Sequence, residues 1–134
     1  MLTKRHAQRD AEELAARLNA SLGGGWEPYV WENLGWHFRA VKTNGRDRED
    51  PEARTIAVYP FTYPPDAEPK TTYSAMVSDD SGPGMPSYYM PLRGERHFDD
   101  PAEAVRAMLP YVEAHVEQVT KTLAHLRAAL GQPC

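Results

Sequence analysis

The sequence predicts an α+β domain, α-β-β-β(-β)-α in chain order, with a short antiparallel sheet packed against an N-terminal and a long C-terminal helix. Three observations carry this. Apolar residues recur at helical spacing at both ends, two-residue alternation fills the middle, and glycines and prolines separate the segments.

Residues 3–22 read as the first helix, with Ala7, Ala11, Leu14, Leu18 and Leu22 at three- and four-residue steps. Thr3 is the candidate N-cap, although Lys4 and Arg5 oppose the helix dipole and draw the expected start toward Asp10. Gly23-Gly24-Gly25 ends it, because glycine takes the left-handed C-terminal position without strain.

From Leu34 the chain alternates: Leu34, Trp36, Phe38 and Ala40 on one side, His37, Arg39 and Val41 on the other, a half-buried strand. Asn44-Gly45 and the charged run RDREDPEAR predict an exposed loop of about ten residues, followed by a strand TIAVY with Ile56 and Val58 inward. Pro60, Pro64, Pro65 and Pro69 place residues 60–70 outside the sheet, since proline cannot donate to a ladder. Residues 71–78 resume alternation, with Tyr73, Ala75 and Val77 on one face. SDDSGPGMPS is a turn-rich loop, and YYMPL is a short edge strand interrupted by Pro91.

Asp100-Pro101-Ala102-Glu103 marks a helix start: N-cap, proline at the first helical position, and Glu103 placed to complete a capping box. Val105, Leu109, Val112, Val116, Val119, Leu123, Leu126 and Leu130 then alternate four- and three-residue steps until Gly131 and Pro133, with Pro110 a candidate kink. The spacing assigns Leu109, Val116, Leu123 and Leu130 to heptad position a, and Val105, Val112, Val119 and Leu126 to d. A parallel dimer prefers the reverse, and the e and g residues form no charge code. Packing on the chain's own sheet and first helix is therefore expected, with a homodimer through the C-terminal helix as the alternative.

At 134 residues, with 41% hydrophobic and 25% charged content, the chain fits one globular domain over residues 1–134. Cys134 is the only cysteine, which excludes a disulfide-stapled scaffold but leaves a thiol able to link two chains. No apolar leader or membrane-spanning run appears, so a cytoplasmic location without membrane contact is expected. The net charge of -4 argues against a broad nucleic-acid footprint.

Chemical signatures are absent or better explained structurally. Gly23-Gly24-Gly25 follows a helix instead of preceding one, so it presents the wrong dipole end to a phosphate. The five histidines show no HxxxH or HExxH spacing, and Asp79-Asp80 lacks the alternating ligands of a calcium loop; neither a metal nor a cofactor is implied. No nucleophile motif occurs, which weighs against an enzyme.

Aromatic residues are concentrated between the helices, more than one buried sheet face needs. Tyr59, Phe61, Tyr63, Tyr88 and Tyr89 are the candidate partner-binding surface. His37, Arg39 and Tyr73 are the candidate ligand-binding set.

The segment GWEPYVWENLGWHFRAVK, residues 25–42, resembles small uncharacterised proteins of bacteriophages and prophages through GWxPxVWENLGWH, with Trp26, Trp31, Asn33, Gly35, Trp36 and His37 distinctive. The resemblance implies an accessory protein of a mobile element and no activity. The first expectation is a non-enzymatic binding protein that engages another protein, such as a host or defence component. A small-molecule-binding or catalytic domain around His37, Arg39 and Tyr73 is the alternative, and nucleic-acid binding through aromatic strands the second alternative.

Overall fold

Thr3 caps the first helix: its Oγ1 accepts from the His6 N–H at 3.2 Å, and α1 runs from Lys4 to Leu22 despite its basic first turn. The computed structural model describes residues 3–44, 54–62, 71–79, 87–89 and 98–132, so the expected loops at 45–53 and 80–86 and the terminal Cys134 lie outside it. Gly23, at φ 90°, closes α1 with its N–H on the Asn19 carbonyl. Asn19 does more than end a turn. Its side chain donates to the Trp26 carbonyl and accepts from the Trp26 N–H, tying the helix end to the chain that enters the sheet.

Five antiparallel strands follow in the order β1 (Glu27–Glu32), β2 (Trp36–Asn44), β3 (Arg54–Thr62), β4 (Thr71–Asp79) and β5 (Ser87–Tyr89). The expected short antiparallel sheet is present, with a strand the alternation analysis did not separate. Leu34 is the reason. The alternation places it in the strand on the side of Trp36, but it sits at φ 54°, 98% exposed, at the tip of the turn that pairs Glu32 with Trp36. Pro60 is a second correction. It lies within β3, and pairing with β4 continues through it to Thr62↔Thr71.

The ladder accommodates Pro60 because of the direction its missing N–H would take. Tyr73, opposite Pro60, exchanges both backbone hydrogen bonds with Phe98 on the far side. The two groups of a strand residue point the same way, so Pro60↔Tyr73 is a non-hydrogen-bonded pair and the Pro60 backbone faces β2. On that side pairing has already stopped, at Ala40↔Val58.

Both helices cover one face. Leu14, Ala15 and Leu18 of α1 meet Trp26, Ala40, Val58 and Ala75, together with Ala104 and Met108 of α2 (Pro101–Ala129). The inward placement of Val58 and Ala75 agrees with the sequence, whereas Trp36 is only half-buried under the Lys4 ammonium; Trp26 is the core tryptophan, at 5% exposed. Asp100 caps α2 by accepting from the Ala102 N–H at 3.0 Å. Glu103 does not complete a capping box, because its carboxylate pairs forward with Arg106 at 2.7 Å.

Candidate functional site

The long helix does not pack along its length as its spacing led us to expect. Its first turns bury Ala102, Ala104 and Met108, with Val105, Tyr111 and Val112 partly covered. From Glu113 to Gln132 every residue is exposed, and the helical part of this stretch, to Ala129, is roughly 25 Å long at about 1.5 Å per residue. The heptad continues along it: Val116, Val119, Leu123, Leu126 and Leu130 are 53, 51, 44, 55 and 65% exposed on one stripe. Among the described residues the core reaches along the helix only as far as Val112, and Pro110 sits near where the packed part gives way to the projecting part.

An unpartnered helix of this length is marginal in water, since most helical stability comes from packing an apolar face. The local supports are modest. Lys121 pairs with Glu117 at 3.3 Å on the exposed surface, while Thr120 and Thr122 return their hydroxyls to the carbonyls of Val116 and Gln118. Among the described residues nothing covers this apolar row, and its polar flanks leave it as a contiguous exposed patch.

A second feature lies where β2 and β3 part. Beyond Ala40↔Val58 the two strands separate, and a cavity of about 570 Å³ opens between them, lined from β2 by Trp36, His37 and Arg39 and from β3 by Tyr59 and Pro60, with Asp10 of α1. On the sheet face away from the helices the Arg39 guanidinium lies 4.2 Å from the Trp31 ring centroid and 5.8 Å from that of Tyr29, and Trp31 stacks on His37 at 5.3 Å. His37 Nε2 is held 2.8 Å from the Asn33 carbonyl.

His37 and Arg39 thus share a face, as the alternation predicts, but the sheet separates them from Tyr73. That ring is on the helix side, where Arg17 lies over it and donates to its hydroxyl at 3.2 Å. Tyr59 and Phe61 are neighbours on the face of His37, with centroids 5.5 Å apart. Tyr63 lies outside the described residues, and Tyr88 and Tyr89 are placed by backbone alone, in β5. Tyr29 and Trp31 belong to this aromatic face and were missed as members, since recognising them needs the Asn33-Leu34-Gly35 turn that sets Trp31 opposite His37.

On the same face Thr72 and Ser74 are buried, and their hydroxyls find no hydrogen-bond partner among the described residues. No group of three or more His, Cys, Asp or Glu side chains converges among the described residues, and no helix among them is long and apolar enough to cross a membrane.

No known protein family, curated protein or solved structure matches the chain.

Proposed function

We propose that the chain is a non-enzymatic interaction protein whose projecting α2 docks onto another polypeptide through its apolar stripe. The observation that carries this reading is the row Val116, Val119, Leu123, Leu126 and Leu130, which no part of the chain's own described fold covers. The aromatic face around Tyr59, Phe61 and Trp31 offers a second, smaller contact surface. The β2–β3 cavity ranks below the helix as a working site. Arg39 already lies over the adjacent Trp31 and Tyr29 rings, His37 is held by a carbonyl, and Asp10 brings a carboxylate to the same space. The resemblance of residues 25–37 to phage and prophage proteins fits an accessory protein that engages or inhibits a host or defence component.

The test compares the wild-type chain with the Val119→Glu/Leu123→Glu variant as baits in cells that also carry a differently tagged second copy. Both side chains are half-exposed, so the variant is expected to keep the melting profile of the globular part. It should lose at least tenfold of whatever the wild type retains, because a charge in an apolar docking seam must be desolvated. Retention of the same chains by both baits would refute the reading.

A further inference from the structure

We propose that the occupant of the α2 stripe is a second copy of this chain, its α2 running antiparallel and crossing the first at Lys121. The inference rests on the reading of α2 as a docking helix and adds the partner and the register.

Three observations select this arrangement. The first is volume. In an antiparallel pair, a residues face d residues, and a crossing at Lys121 sets Val112 against Leu130, Val116 against Leu126 and Val119 against Leu123 of the other copy. Every layer then holds one valine and one leucine, so large faces small throughout, as a closely packed seam requires. A parallel pair in register would instead stack three Val–Val layers, at 112, 116 and 119, and then three Leu–Leu layers, at 123, 126 and 130. A shift of one heptad toward the N-terminus would give uneven layers, setting Leu126 on Leu109 and Val116 on Val119.

The second observation is charge. Antiparallel helices bring e positions beside e positions, and this register sets Glu113 beside Arg127 of the other copy, twice by symmetry, with Thr120 beside Thr120. Among the described residues neither Glu113 nor Arg127 is paired within its own chain. In a parallel pair the same two residues stand two heptads apart and do not meet. Between Glu113 and Leu130 two carboxylates balance two cations, so no net repulsion opposes association of identical helices.

The third is space. The overlap begins at Val112, where the helix's own packing ends, and runs to Leu130, roughly 28 Å of helix. The two globular parts then sit at opposite ends of the seam. Six stripe residues from each copy place the contact near the small end of specific interfaces, about 1,200 Å² in total, and the dissociation constant is expected in the micromolar range.

Sedimentation equilibrium of the full chain, from nanomolar to high micromolar, tests the proposal with Glu113→Arg and Arg127→Glu. Wild type should pass from monomer to dimer. Each single variant should dissociate about tenfold more readily, since two attractive pairs become repulsive, and an equimolar mixture of the two variants should recover wild-type affinity because both pairs become complementary again. A wild type that stays monomeric overturns the second copy; the Val119→Glu/Leu123→Glu comparison then still decides whether α2 docks elsewhere. A dimer indifferent to both charge changes overturns the antiparallel register.

Discussion

Trp26 and Trp36 carry different weights. Trp26 is enclosed by α1 and β2, and its backbone is held at both ends by Asn19, so Trp26→Ala should cost about 3–5 kcal/mol through lost transfer and the cavity left behind. Trp36 is half-buried with Lys4 over its ring, and Trp36→Ala should cost about 1–2 kcal/mol, in proportion to the area it hides. Chemical denaturation of the two variants checks the order, and a larger loss at Trp36 would contradict the packing described. The sequence alone could not rank the two rings. Both stand in the same aromatic run, and what separates them is the sharp turn between α1 and β1, visible only once Asn19 is seen to grip Trp26.

The β1–β2 hairpin and α2 show how local spacing misleads in opposite ways. At the hairpin, Leu34 alternates with Trp36 and so reads as strand, but its φ of 54° puts a branched side chain in left-handed space. That conformation costs about 1–2 kcal/mol, and the side chain recovers nothing because it is 98% exposed. After the entropy glycine loses on folding, Leu34→Gly should stabilise the fold by about 0.5–1 kcal/mol, measured as a raised denaturation midpoint. A destabilised variant would mean that Leu34 makes contacts the hairpin geometry does not show. In α2 the heptad spacing identified the helix and its apolar face correctly. It could not tell whether that face meets the chain's own sheet, because length, not periodicity, decides it: the sheet supplies cover as far as Val112. Pro60 failed as a strand breaker for a directional reason, since its missing donor faces β2 beyond the last paired residue.

The α+β class, the helix at each end and the inward set Ile56, Val58, Tyr73 and Ala75 were legible because one-sided burial imposes its period on the residues. The candidate site was legible only in part. His37 and Arg39 were paired correctly by alternation, while Tyr73 fell on the other side of the sheet and the α2 stripe was assigned to the core. Properties that depend on which surfaces remain uncovered belong to the whole molecule, and among the described residues the uncovered apolar surface is most of a long helix.

Amide hydrogen exchange across residues 113–130, followed as a function of protein concentration, tests whether that helix is stabilised by docking. Protection of this segment should rise with concentration while α1 and β2–β4 stay unchanged, because association holds the helix by mass action. Exchange that is slow and independent of concentration would show a segment stabilised within its own chain and would contradict the docking role assigned to α2.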